Sequence, residues 1–159
     1  MNAFTIFHVL LSLIGIMAGF VVVFGMIGSK VCRGWTTIFL GTTLASSVTG
    51  IMFPFHGFTP AFVFGILSCV VLGFAFHALY GKKLFGGWAK VYVVTAVIAQ
   101  YLNFFVLIAQ SFQKISFLHQ FAPMGQEPAF GLAQGAALLF FLVLGMLGAR
   151  KFHPAAPLA

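Results

Sequence analysis

The stretch VTGIMFPFHGFTP, residues 48–60, decides how the chain is read. It joins two long apolar runs with almost no polar material between them. Pro54 ends the first run, because the residue before a proline is pushed out of the helical region. Thr59 and Pro60 begin the second. A hydroxyl stands at the N-cap, and a proline follows at the first helical position, where its missing N–H leaves nothing unsatisfied. Phe55, His56, Gly57 and Phe58 leave no room for a water-soluble loop. The stretch reads as a tight hairpin between two membrane-spanning helices, and the remaining spans are counted outward from it.

Composition points the same way. Hydrophobic residues make up 62% of the chain and charged residues 6%, with a mean hydropathy of +1.12. An ordinary soluble domain carries about 25% charged residues, so a water-facing surface cannot be built from these side chains. The expected fold is an all-α membrane protein, a single transmembrane domain over residues 1–159. Five apolar runs, at about 4–28, 35–53, 60–80, 91–112 and 129–149, predict a bundle of five transmembrane helices. The first run follows no basic segment and carries no small-residue cleavage site, so it reads as a retained span rather than a signal peptide.

Eight Lys and Arg face a single acid, Glu127. In a soluble chain this excess would suggest nucleic acid. Here the cations sit at span ends, with no long basic run and no RNA-binding motif. The expected partner is therefore the lipid bilayer and not nucleic acid. Lys30 and Arg33 fall in one connection, Lys82, Lys83 and Lys90 in another, and Arg150 and Lys151 after the last span. The hairpin holds no cation, and the connection after span four holds Lys114 offset by Glu127. This alternation predicts an outside N-terminus and a cytoplasmic C-terminus. Cys32 and Cys69 fall at different depths, so no disulfide is expected between them.

Polar side chains recur on span four at Gln100, Asn103 and Gln110, with Lys114 one turn on. At about 100° per residue they share roughly a quarter of the helix circumference. Groups this polar avoid lipid, so the face should point into the bundle or toward a partner. It serves either as hydrogen-bonding glue between helices or as a ligand, quinone or water pathway. Small residues repeat on span one (Ser12, Gly15, Gly19), span three (Gly65, Cys69, Gly73, leading to His77) and span five (Gly131, Gly135, Gly145, Gly148). All are expected to carry close helix packing.

His8, His56 and His119 fall toward the outer side and are the candidate set for a metal or haem. The alternative places them at headgroup level as interfacial side chains. His77 stands apart, without a second histidine at its depth for an axial pair. Glu127 is the only acidic side chain, which excludes paired-carboxylate catalysis within one chain. Just ahead of Pro128, it suits the amino end of span five, where the helix dipole favours negative charge. Phe112, Ile115, Leu118 and Phe121 recur at three-residue spacing and predict a continued or short interfacial helix ended by Pro123.

VTGIMFPFHGFTPAFVFGILS at 48–68, YVVTAVIAQYLNFFVLIAQSFQKI at 92–115 and APMGQEPAF at 122–130 together resemble a group of small multi-span inner-membrane proteins of proteobacteria. The resemblance covers most of the chain after about Thr43. It implies a bacterial inner-membrane location and a helical membrane fold, and no mechanism. The expected function is non-enzymatic: a small subunit or binding bundle that associates with itself or with a larger inner-membrane complex. The alternatives are a carrier of a hydrophobic ligand or redox cofactor, quinone or haem, and a small-solute channel.

Overall fold

The computed structural model describes residues 3–52 and 60–154. The turn of the 48–60 hairpin, including His56, lies outside the described residues. Six helices follow in order: α1 (Ala3–Ile27), α2 (Arg33–Ile51), α3 (Pro60–Phe76), α4 (Trp88–Lys114), α5 (Ser116–His119) and α6 (Pro128–Lys151). The chain continues from α3 through a five-residue π turn, His77–Gly81. Among the described residues there is no strand. Four helical segments, Ala3–Ile27, Phe62–Gly81, Trp88–Lys114 and Pro128–Lys151, are long and apolar enough to cross a membrane.

The fifth long helix, α2, has the length but less of the apolarity, because of its seven hydroxyls at Thr36, Thr37, Thr42, Thr43, Ser46, Ser47 and Thr49. Several of them bond back to their own backbone. Thr42 donates to the Ile38 carbonyl at 2.7 Å, Ser47 to Thr43 at 2.8 Å and Thr49 to Ala45 at 2.8 Å. Such bonds spend the hydroxyl proton locally and let a polar sequence stay helical beside apolar neighbours.

Helix α4 is central, touching α1, α3, α5 and α6, while α2 packs between α1 and α3. The core comprises Val22, Val23 and Met26 of α1, Phe39 and Leu40 of α2, Leu72 of α3, Tyr92 and Val93 of α4, and Phe141 and Leu144 of α6. Phe20, Phe104 and Phe141 interlock with centroids 5.5–5.9 Å apart, inside the range of favourable aromatic pairs. Exposed apolar side chains such as Met17, Phe24, Phe74, Leu132 and Leu139 cover the outside of the bundle.

The small-residue stripes divide. On α1, Gly15 and Gly19 pack as expected against α2 and α4. On α3, Gly65 meets Ile51 and the Ser47 carbonyl, whereas no described residue lies within 4 Å of a Cβ at Gly73. A stripe repeating every four residues drifts about 40° per step against a 3.6-residue turn, so its far end rotates out of contact. On α6, Gly145 and Gly148 seat against Val97 and Val93 of α4, but among the described residues nothing lies within 4 Å of where a Cβ on Gly131 or Gly135 would be. The buried stripe of α6 runs through Gln134, Ala137, Phe141, Leu144 and Gly148. Gly131 and Gly135 fall about 100° and 140° around the helix from its middle. The expectation that all four glycines pack inside the bundle is corrected for these two.

Phe152 and His153, just after α6, fold back onto the bundle. Phe152 is buried, 6.0 Å from the Tyr92 ring. Ser29 Oγ donates to the His153 carbonyl at 2.8 Å and lies 2.9 Å from the His153 N–H. Phe152 and His153 thus pack at the bundle end where α1 finishes and α2 and α4 begin.

Candidate functional site

A polar seam runs along the contact of α1, α2 and α4. At one end His8 Nδ1 and Thr49 Oγ1 are 2.9 Å apart. Thr49 has one proton, directed to the Ala45 carbonyl, so His8 is the donor in that pair. One turn along, Ser12 donates to the His8 carbonyl at 2.9 Å and receives a proton from Ser46 across a 2.6 Å contact. Gly15 follows, where a Cβ would stand 3.1 Å from both Thr42 and Thr43 Oγ1. Asn103 Nδ2 reaches Thr43 Oγ1 at 3.1 Å.

Gln100 is the deepest member, fully buried on α4. Its Nε2 donates to the Ile16 carbonyl at 2.8 Å. That carbonyl sets the amide orientation, because a flipped amide would oppose two oxygens. Oε1 has no conventional hydrogen-bond partner. It lies against Gly19, where a Cβ would overlap it, and the same Cβ would stand 2.9 Å from the Phe39 ring. The Cα–H of Gly19 points at this oxygen, the weak contact that helix–helix interfaces commonly use. The glycine and the glutamine are one unit: Gly19 makes room for the side chain that ties α4 to α1.

The polar face expected on span four therefore turns inward, toward α1 and α2. Its donors at Gln100 and Asn103 are taken by other helices. Gln110 is half-buried, with its Oε1 unpartnered. Gln134 lies outside the polar face expected from the sequence. This buried amide on α6 donates to the Phe105 carbonyl of α4 at 3.1 Å. A lone glutamine inside an apolar run was the available signal. The Ser12–Ser46 and His8–Thr49 pairs were less legible, since hydroxyls on a helix serve their own backbone as readily as a neighbour.

Among the described residues, His8 and His119 each have a separate partner. His8 bonds Thr49, His119 sits 3.3 Å from the Phe112 carbonyl, and His56 is outside the described residues. His77 opens the π turn with its ring edge-on to Trp88 at 5.1 Å. Lys82 Nζ lies 5.6 Å from the same indole, within cation–π range. Among the described residues no three His, Cys, Asp or Glu side chains converge as metal ligands do. Cys32 and Cys69 are free thiols.

Glu127 is the N-cap residue of α6, yet its carboxylate makes no side-chain cap bond to that helix. Oε1 accepts from the Met124 N–H and Oε2 from the Gln126 N–H, each at 2.9 Å. Those bonds close the turn ahead of the helix, around Gly125 at φ 71°. The Met124 N–H, followed by further backbone N–H groups, holds the carboxyl below its usual range, against a smaller opposing effect of desolvation. The aromatic spacing at 112–121 resolves into a break at Ile115 and the short α5. Phe112 faces in, and Ile115 and Phe121 remain exposed.

No family model, curated protein or solved structure matches the chain.

Proposed function

We propose that the chain is a non-enzymatic subunit of a bacterial inner membrane, associating with itself or with a larger membrane complex through α6. The carrying observation is the open notch at Gly131 and Gly135, on a helix whose Gly145 and Gly148 are already occupied by α4. Small residues four apart with nothing over them let a second helix approach closely, the main source of helix attraction where no hydrophobic effect acts. The apolar window of α6 is 22% buried against 39% for each of the other three candidate spans. It is the helix with the most contact left to make.

In this reading α2 is a fifth span. Its 19 residues reach about 28 Å at 1.5 Å each, close to the hydrocarbon thickness of about 30 Å. Its hydroxyl protons are largely committed to carbonyls. Placing the basic connections in the cytoplasm leaves the N-terminus outside. The seam at Gln100 and Asn103 supports a structural part rather than a quinone site or solute path, since its amide donors already serve Ile16 and Thr43.

The test is the mass of the purified protein in mild detergent, by light scattering or native mass spectrometry. Wild type is expected above the 17.2 kDa monomer or with a co-purifying membrane protein. Gly131→Leu with Gly135→Leu is expected to revert it to a lone monomer with unchanged helicity. A wild-type protein that is strictly monomeric and partnerless would sink the proposal.

A further inference from the structure

Seven of the eight cationic side chains belong to one end of the bundle: Lys30, Arg33, Lys82, Lys83, Lys90, Arg150 and Lys151. The chain's single acidic side chain, Glu127, stands before α6 at the other end and is occupied by the backbone of its own turn. The basic end therefore has no acidic side chain of this chain to meet its charge. There, between the start of α2 and the π turn, a cavity of about 250 Å³ is lined by Val31, Arg33, Thr36, Thr37, Leu79, Tyr80 and Lys83.

Backbone geometry places Lys83 at this cavity. Lys83 and Leu84 both adopt positive φ, 48° and 60°, a region that costs a side-chain-bearing residue energy. Leu84 is held there by burial in the core and by its N–H, which donates to the Ala78 carbonyl at 3.0 Å. Thr36, also buried, receives the Tyr92 hydroxyl at 3.5 Å, which leaves its own proton to donate. Val31, Leu79 and the Tyr80 ring supply apolar walls. The volume is below the roughly 300–1,000 Å³ of a drug-sized pocket and suits a small charged group with a short carbon stem. A guanidinium and an ammonium over apolar walls match phosphate oxygens on an ester carbon.

We propose that this cavity binds a phosphate ester, with Arg33 and Lys83 on the phosphate oxygens and Val31, Leu79 and Tyr80 against the attached carbons. The same chemistry is offered by the headgroup of an anionic glycerophospholipid and by a soluble phosphate ester. The inference is independent of the α6 reading: it concerns a different surface and survives a monomeric outcome there.

The experiment is native mass spectrometry of the detergent-purified chain titrated with phosphatidylglycerol, with diacylglycerol (the same lipid without phosphate) and with glycerol 3-phosphate. One phosphatidylglycerol per chain is expected, with diacylglycerol not retained. Arg33→Gln with Lys83→Gln is expected to weaken binding about ten- to a hundredfold, the loss typical of charge-assisted hydrogen bonds. Lys90→Gln with Lys151→Gln removes equal charge from the same end, outside the cavity, and should change it by less than about twofold, as peripheral charges do. Competition by glycerol 3-phosphate would assign a soluble ligand, and its failure to compete a lipid one; either agrees with the proposal. Equal loss in the two double variants, no loss in the first, or equal retention of diacylglycerol would overturn it. All four side chains are exposed, so neither double variant should disturb folding.

Discussion

The α1–α2–α4 seam and the outward face of α6 use glycine in opposite ways. At Gly19 the missing side chain is filled from within the chain, by Gln100 Oε1 and the Phe39 ring. At Gly131 and Gly135 it is filled by no described residue. Sequence spacing is similar in the two places, four residues between small positions. The seam is finished by the chain itself; the notch is covered by no described residue. Glycine spacing thus indicates where helices can approach closely, and only packing tells whether the approach is already made.

The largest expected effect comes from breaking the filled side of this comparison. Gly19→Val should push Gln100 off the Ile16 carbonyl and crowd Phe39. Overpacking of about 1–3 kcal/mol and a lost hydrogen bond of about 1 kcal/mol together predict roughly 3 kcal/mol of destabilisation. Thermal unfolding in detergent, followed by circular dichroism, measures it. A variant as stable as wild type would show that Gly19 and Gln100 do not act as a unit.

Asn103→Leu and Gln100→Leu probe the seam from the other helix. Interhelical polar contacts in membranes contribute about 0.6 kcal/mol on average and up to about 1.7, so each variant should lose about that much in the same unfolding assay. Folding is expected to survive in both. Gln100→Leu also removes an unpartnered oxygen, which makes it the milder of the two. In proteoliposomes, abolished solute flux without loss of stability would contradict the structural role and favour a channel.

Gly131→Leu with Gly135→Leu sharpens the open side. Folded-state stability should change by no more than about 0.5 kcal/mol, the range of surface substitutions, while association is lost. Instability of this variant as an isolated monomer would place the two glycines inside the fold.

The smallest effect concerns Glu127. Its folded-state pKa is depressed, so the stability it contributes is present above its unfolded value, about 4.3, and is lost as pH falls through the lower folded value. Glu127→Gln should flatten the decline in unfolding temperature below about pH 4.3, with little change at neutral pH. An acid profile identical to wild type would remove the turn-closing role. The carboxyl is exposed, and salt should weaken the effect.

Much of the seam was legible before packing was known. Gln100 and Asn103 share a face, and the cost of exposing amides to lipid turned that face inward. The partners were not legible: a carbonyl on α1 and a hydroxyl on α2 are sequence-neutral until helix rotation and depth bring them into reach. Gly73 looked like part of a packing stripe with Gly65, but a four-residue repeat drifts about 40° per step, and of these two glycines Gly65 alone meets a described neighbour. The basic cavity was invisible as a unit, because Arg33 and Lys83 are separated in sequence by α2 and α3 and border one cavity only in the folded chain.

Composition, hydropathy and charge placement determined by themselves that the chain is helical and that its apolar helices avoid water, since those properties sum over residues regardless of arrangement. The 48–60 stretch likewise marked the boundary between α2 and α3 through proline geometry, which is local. Tertiary structure alone decided which glycine is filled, which amide meets which carbonyl, and that two distant cations border one cavity. Each of these depends on the rotation and register of one helix against another, where a shift of a single residue moves a side chain about 100° around the axis.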